Sequence, residues 1–242
     1  MVLSSSVADR HNTRIGKLFQ TRTATRPPPR GRRALCFIVT VTTGGVLNWL
    51  AHVFLSEPTI DFRLGNLLAD LVRGEHRARM PADFLRGAAC HKAIDAFTDA
   101  HPIVMRSRSR LDARYRRFNG VLLDIFYDYF LACSWRNYSS VPLDEFTASF
   151  YAAARSRPLE LPSDAQATLD RIVTHDLLGQ YQRVAGVENS LRRVSAYIRQ
   201  RWKRDYALHE SVAELQRHEA ELAEDFAAFF PLLRTHVATL DL

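Results

Sequence analysis

Two aspartates, four residues apart, lie in a segment of the sequence that is otherwise almost wholly apolar. Asp124 and Asp128 interrupt the stretch GVLLDIFYDYFLACSW, residues 120–135. A helix that is apolar all round is normally buried, so both carboxylates are expected to lose much of their hydration. At this spacing they also point the same way and repel each other. A compensating positive charge is therefore needed, from either a divalent cation or an arginine.

Similar polar spacings recur on two further segments with helical patterning. The stretch CHKAIDAFTDAHP places His91, Asp95 and Asp99 at successive four-residue steps, which puts all three on one helix face. The stretch LGNLLADLVRG carries Asn66 and Asp70 four residues apart. Several apolar helices that each offer oxygen or imidazole ligands predict a shared metal site inside a helical bundle.

A further imidazole, that of His52, lies in the apolar run NWLAHVFL and is either a satisfied core histidine or another ligand. A cation would allow the clustered aspartates to stay ionised where they would otherwise repel or protonate. Donors that are mostly carboxylate, with one or two imidazoles, favour manganese or magnesium, or a pair of iron or manganese ions. Such ions polarise phosphoryl oxygens and activate water, which predicts a hydrolase.

The elements that must position these side chains are all predicted to be helices. Apolar residues recur at helical spacing from residue 61 onward, and no alternating strand pattern follows residue 54. The main helices are predicted over residues 81–99, 104–117, 120–134, 142–158, 163–178, 187–204 and 206–236, with a short one over 65–73. The sequence therefore predicts an all-α, single-domain, multi-helix bundle over residues 47–242.

The excess positive charge of the chain lies in its N-terminal segment. The formal net charge is +7, and residues 1–46 hold seven arginines and one lysine against one acid, so the remaining residues carry 25 basic and 25 acidic side chains. The segment 1–34 is rich in Arg, Ser, Thr and Pro, and it is predicted to be disordered. A neutral body gives little support to a nucleic-acid partner.

Cysteine usage and hydropathy indicate the compartment. The three cysteines are widely spaced and form no C-x-x-C pair, which argues against a disulfide framework and a zinc ribbon and favours the cytoplasm. The apolar run over residues 34–55 is interrupted by Thr, Gly and Asn, and it falls short of the roughly 18 to 20 apolar residues that a membrane span needs. No membrane span is therefore predicted.

Four motifs, LNWLAHVFLS, GNLLADLVRG, HKAIDAFTDAHP and LLDIFYDYFL, resemble in their order and separation the acyl carrier protein phosphodiesterase family. The likeness covers residues 47–236. It implies a helical fold like that of the histidine–aspartate (HD) phosphohydrolases and Mn²⁺ as the cofactor, with Mg²⁺ or Fe²⁺ as alternatives. The implied reaction is hydrolysis of the phosphodiester that joins 4′-phosphopantetheine to a serine of holo-acyl carrier protein.

The resemblance also implies roles for individual residues, carried over by motif. The implied metal ligands are Asp70, His91, Asp95 and Asp124, with Asp128 ligating or orienting. His52 and Asp99 are implied to transfer protons or to support the ligands. The family often has His where this chain has Tyr129, and its members tend to begin with Met where this chain has Leu47. The segment 1–46 is therefore interpreted as a disordered extension or as the product of a start assigned too far upstream.

An acidic carrier protein requires a basic surface on the enzyme. Six arginines fall between residues 106 and 117 against one acid, next to the helix that carries the proposed ligands, and a solvated helix face is the alternative interpretation. The predicted substrate-binding residues are Asn66, Arg73, Lys92, Arg106, Arg110 and Arg114. Two other functions stay open on sequence alone, a phosphohydrolase of nucleotides or small phosphoesters and a non-enzymatic helical binding protein.

Overall fold

The computed structural model describes residues 49–242, and these residues fall within one compact unit. The α-helices are α1 Trp49–Phe54, α2 Ile60–Leu68, α3 Gly74–Ala78, α4 Ala82–Ala100, α5 Pro102–Arg110, α6 Asn119–Cys133, α7 Leu143–Ser156, α8 Ser163–Thr174, α9 Val184–Trp202, α10 Val212–Arg217 and α11 Glu219–Ala238. Between residues 49 and 242 there is no strand, which confirms the predicted all-α bundle. The prediction of disorder for residues 1–46 lies outside the described residues.

The apolar helix α6 is the centre of the bundle. Its residues from Ile125 to Ala132 are all buried, and it packs against α1, α5, α9 and α11. This all-round packing explains why the sequence of α6 shows no wide polar face. Asp124 and Asp128 are thus carried by a helix that packs against four others.

Helices α2 and α4 lie in backbone contact at two glycines. A Cβ atom built on Gly65 would lie 2.0 Å from the carbonyl oxygen of Phe84, and one built on Gly87 would lie 2.0 Å from that of Phe62. No real side chain tolerates such distances, so only glycine permits this approach. The contact brings the polar face of α4 next to that of α2.

A buried carboxylate on α11 holds helix α5 in place. Asp225, with 2% of its side chain exposed, accepts hydrogen bonds from Arg106 Nε at 2.8 Å, Ser107 Oγ at 2.7 Å and Arg110 Nε at 3.1 Å. Charge-assisted bonds of this kind compensate the burial of the carboxylate. One face of α5 is therefore committed to packing on α11.

The predicted helix 206–236 is interrupted in the structure. A 3₁₀ turn over Leu208–Ser211 leads into α10, and His218, with φ −113° and ψ 23°, separates α10 from α11. No helix within residues 49–242 combines the length and the apolar character that crossing a membrane requires.

Candidate metal centre

Three predicted site residues from two helices converge at one point. His52 of α1 and His91 of α4 stack with ring centroids 4.3 Å apart, and the Asp95 carboxylate lies 3.4 Å from His52 Nε2 and 3.2 Å from His91 Nε2. The potential ligand atoms of the three side chains all lie within 4.8 Å of one another. Asp70 Oδ2 lies 3.9 Å from His91 Nε2, so a fourth ligand candidate borders the group. We call His52, His91 and Asp95 the His-His-Asp cluster.

Helix α1, which carries His52, is anchored by Asp128. One carboxylate oxygen of Asp128 accepts the Leu50 N–H at 3.0 Å, and the other accepts the Ala51 N–H at 2.9 Å. The first amides of a helix have no partner within it, so a carboxylate at this end is stabilising. Because both oxygens are occupied, these contacts favour the orienting role of Asp128 over the ligating one.

The tautomer of His52 is fixed by Asn66. The Asn66 amide nitrogen donates to the His52 carbonyl oxygen at 3.0 Å and to Ser56 Oγ at 2.9 Å, so its oxygen is the atom 2.7 Å from His52 Nδ1. That oxygen can only accept, and His52 Nδ1 must therefore carry the proton. The lone pair of His52 then resides on Nε2, the atom that faces Asp95.

His52 Nε2 and Asp95 Oδ1 thus lie 3.4 Å apart as two hydrogen-bond acceptors with no proton between them. His52 Nε2 and both ring nitrogens of His91 are buried and have no hydrogen-bond partner among residues 49–242. Buried polar atoms without partners are costly, and a histidine held through Nδ1 with Nε2 left open is the usual form of a metal ligand. The donor set therefore fits a divalent cation at the His-His-Asp cluster.

In the metal-free protein, the side chains of the cluster shift one another's pKa values. Burial alone would lower the pKa of His91, but the carboxylates of Asp70 and Asp95 raise it to about 9. Burial, together with the nearby charge of His91, lowers the pKa of His52. Burial would raise the pKa of Asp95, yet the two histidines hold it below its usual range. Without metal, a proton on His91 offsets part of the negative charge.

The cluster is open on one side. Both imidazoles are buried, whereas the side chains of Asp70 and Asp95 are 42% and 44% exposed. Structural metal sites are closed by protein ligands, while catalytic sites keep a position for water or substrate. The exposure of the carboxylates therefore favours a catalytic site.

Asp124 lies beside the cluster without joining it directly. Within residues 49–242 it makes no hydrogen bond or ion pair, and no arginine pairs with Asp124 or Asp128. Its burial raises its pKa to about 8, with the charge of Asp95 acting in the same direction and that of Arg108 in the opposite one. The arginine salt bridge considered from sequence is thus absent from the described part of the chain, and the ligand role of Asp124 remains a prediction.

Comparison with known proteins agrees with these motifs. The sequence model of the acyl carrier protein phosphodiesterase family matches residues 47–233. The chain belongs to this family. A relative from Photorhabdus laumondii named acyl carrier protein phosphodiesterase is 30% identical over 190 residues, which cover 77% of this chain and 93% of the relative. One from Salmonella dublin with the same name is 30% identical over 193 residues, which cover 79% and 98%. No solved structure gives a significant match.

The remaining predicted site residues of this family member lie in varied surroundings. Asp99, with 67% of its side chain exposed, pairs with Arg108 at 2.5 Å, one helical turn beyond Asp95. Arg73 and Lys92 are exposed, and the charge of Arg73 acts on Asp70. Arg73 thus borders the cluster, whereas Lys92 has no hydrogen bond or ion pair within the described range.

Two of the predicted substrate-binding arginines are already engaged. Arg106 and Arg110 both bind Asp225, as described above, whereas Arg114 is 53% exposed and lies 3.9 Å from Asp112. Sequence reasoning missed Asp225 because the only signal, an aspartate in the apolar stripe of α11, does not reveal its partners. Arg114 is therefore the best placed of the three to meet a substrate protein.

Asn66 was predicted to bind substrate, but its side chain is fully buried and occupied by His52 and Ser56. We expect Asn66→Ala to weaken manganese binding by roughly 10- to 100-fold, because His52 loses the partner that fixes its ring and tautomer. Isothermal titration of the metal-free protein with Mn²⁺ measures this. Ser56→Ala is the matched control, since it removes one contact of Asn66 and leaves the hydrogen bond between Asn66 and the His52 ring intact. Equal affinities in Asn66→Ala and wild type would contradict the orienting role.

Asp124→Asn is expected to stabilise the metal-free protein at pH 7. An unfolded aspartate ionises near pH 4, whereas folded Asp124 has a pKa of about 8, so the folded state keeps its proton longer and stability falls as pH rises between these values. The variant lacks this dependence and should be more stable by about 2 kcal/mol at pH 7, after allowance for partial exposure. Urea unfolding at pH 5 and pH 8 with a chelator measures it. A variant less stable than wild type would refute this explanation.

Proposed function

We propose that this chain is a metal-dependent phosphodiesterase that hydrolyses the bond between 4′-phosphopantetheine and a serine of holo-acyl carrier protein. The observation that carries the proposal is the pair of facing acceptors, His52 Nε2 and Asp95 Oδ1, at a cluster open to solvent. The names of the relatives from P. laumondii and S. dublin support the substrate. Manganese is the ion we propose, with Mg²⁺ and Fe²⁺ as alternatives, because the donors mix carboxylate and imidazole.

The side chains of the site divide the work of binding and positioning. We propose that His52, His91 and Asp95 hold the ion, with Asp70 and Asp124 as further ligands at its border. A bound divalent cation would polarise a phosphoryl oxygen and lower the pKa of a water molecule. Asn66 holds the ring of His52, and Asp128 holds helix α1, which carries His52.

Tyr129, at the position where the family motifs led us to expect histidine, does not take part in the cluster. Its hydroxyl donates to Glu219 Oε1 of α11 at 2.9 Å. Within residues 49–242 no contact joins it to His52, His91 or Asp95. We therefore assign proton transfer to groups at or beside the cluster, and Asp99 remains a candidate because it is exposed one turn beyond Asp95.

The basic segment after α5 is the surface we propose for docking of the carrier protein. Arg114, Arg116 and Arg117 are exposed there, and Arg117 lies over the ring of Trp202 at the end of α9, within a second run of basic residues over 192–204. A positive surface accelerates encounter with an acidic partner and loses its effect at high salt. Arg114→Glu is a better probe than a change at Arg110, because Arg110→Glu would place a carboxylate beside buried Asp225.

The test of the proposed function is product analysis by mass spectrometry. Purified protein is incubated with holo-acyl carrier protein and Mn²⁺, Mg²⁺ or Fe²⁺, with a chelated sample as the control. Release of 4′-phosphopantetheine together with the apo-protein, dependent on metal, supports the proposal. A parallel panel of nucleotides covers the alternative substrate class. Hydrolysis of nucleotides with an intact carrier protein, or no turnover of either with metal bound, would overturn it.

A further inference from the structure

One arginine, Arg108, lies next to the acidic residues of the site. Arg108 of α5 pairs with Asp99 at 2.5 Å, and Asp99 follows Asp95 by one turn on α4. The charge of Arg108 also acts on the carboxyl of Asp124. Its side chain is only 19% exposed. A guanidinium is therefore held at the border of the proposed metal centre.

The packing of α5 directs Arg108 toward this border. Arg106, Ser107 and Arg110 bind Asp225 of α11, which fixes one side of the helix. Arg108 instead reaches Asp99 of α4 and lies over the start of α6, where a Cβ on Gly120 would be 3.5 Å from Arg108 Nη2. The orientation of Arg108 is thus set by contacts on three helices.

The guanidinium of Arg108 keeps most of its hydrogen-bonding capacity. Within residues 49–242 its one hydrogen bond is the bond from Nη2 to Asp99, and its buried Nε has no acceptor. An arginine presents five N–H donors in a planar fork that matches the oxygens of a phosphate. An exposed partner such as Asp99 adds little stability, so this pair alone gives a weak reason for holding a guanidinium here.

We propose that Arg108 binds a non-bridging oxygen of the substrate's phosphodiester while the adjacent cluster holds the metal ion. This inference rests on the proposed function, since it requires an anionic phosphate at the site. The carboxylates of Asp70, Asp95 and Asp99 repel an approaching phosphodiester, and a fixed guanidinium offsets that repulsion. Arg108 donates hydrogen bonds and takes no proton, and Asp99 positions its fork.

The experiment compares Arg108→Gln with Arg79→Gln, an exposed arginine that pairs with Glu75 on α3 and serves as the matched control. Two probes are used on the Mn²⁺-loaded protein: binding of inorganic phosphate by calorimetry, and turnover of bis(4-nitrophenyl) phosphate. We expect Arg108→Gln to bind phosphate roughly 10- to 100-fold more weakly and to lose a similar factor in kcat/KM, because charge-assisted bonds are lost. Arg79→Gln should match wild type, and both variants should keep wild-type Mn²⁺ affinity.

The outcomes separate this inference from the proposed function. Phosphate affinity of Arg108→Gln within twofold of wild type, or an equal loss in Arg79→Gln, would overturn the role of Arg108. If wild type hydrolyses no phosphodiester, the proposed function fails, while phosphate binding still tests Arg108. Arg108→Lys, which keeps the charge and loses the fork, should recover part of the affinity. If Arg108→Gln does not fold, wild-type affinity in Arg108→Lys would equally overturn the assignment of the fork.

Discussion

We expect Asp95→Asn to abolish manganese binding and phosphodiester hydrolysis in a protein that still folds. Asp95 is the side chain that approaches both His52 Nε2 and His91 Nε2, at 3.4 and 3.2 Å. Asparagine keeps its shape but removes the charge that a cation requires. Substitution of a residue that only orients a ligand typically weakens metal binding by 10- to 100-fold, so loss of a ligand should weaken it by more than about 100-fold. Calorimetric titration with Mn²⁺ and mass detection of 4′-phosphopantetheine measure both effects.

The matched control for this substitution is Asp83→Asn on the same helix. The side chains of Asp83 and Asp95 are similarly exposed, at 39% and 44%, but Asp83 pairs with Arg86 away from the cluster. The control should bind Mn²⁺ as wild type does. The pKa of His91 should also fall from about 9 in metal-free Asp95→Asn, because one of the two carboxylates that raise it is gone. Undiminished metal binding in Asp95→Asn would refute the proposed ligand set.

Gly65→Ala is expected to destabilise the fold by about 3 kcal/mol, at the upper end of the usual cost of overpacking. The added methyl group would lie 2.0 Å from the Phe84 carbonyl oxygen, and because that neighbour is backbone, the whole of α2 or α4 must move. Such a shift would also separate Asn66 of α2, and Asp70 in the turn that follows α2, from the ligands on α4. Urea unfolding and Mn²⁺ titration should both register the change.

Gly120→Ala provides the control for the glycine substitution. The nearest atoms to a Cβ at Gly120 would be those of the Arg108 side chain, at the ordinary contact distance of 3.5 Å. Alanine is favoured over glycine inside a helix by roughly 0.5 to 1 kcal/mol, so this variant should be neutral or slightly more stable. If Gly65→Ala behaved in the same way, the close approach of α2 and α4 would not determine the geometry of the site.

Local sequence patterns were sufficient to predict two of the helices that carry the site, α4 and α6. The predicted segments 81–99 and 120–134 correspond closely to α4 and α6. Pro81 marks the start of α4, and the unbroken apolar run predicts that α6 is a buried helix. The long predicted helix 206–236 was wrong, since a helical stripe of apolar residues continues across His218 although the backbone does not. Periodicity reports which face is buried, and it does not detect a single non-helical residue.

The contacts that assemble the site depend on residues distant in sequence, and the sequence did not reveal them. The convergence of His91 and Asp95 follows from helical spacing, but the place of His52 depends on Asp128, 77 residues away from the Ala51 amide that it accepts. Likewise, nothing in the spacing of the arginines on α5 shows that Asp225 engages Arg106 and Arg110. His52 was predicted to transfer protons or to support the ligands, and the geometry leads us to propose it as a ligand.

The central claim, that a divalent cation binds at the His-His-Asp cluster, is tested most directly by anomalous diffraction from crystals soaked in Mn²⁺. We predict an anomalous peak within about 2.3 Å of His52 Nε2, His91 Nε2 and a carboxylate oxygen of Asp95. A peak at another position, or no peak beside these three side chains at saturating manganese, would contradict the claim.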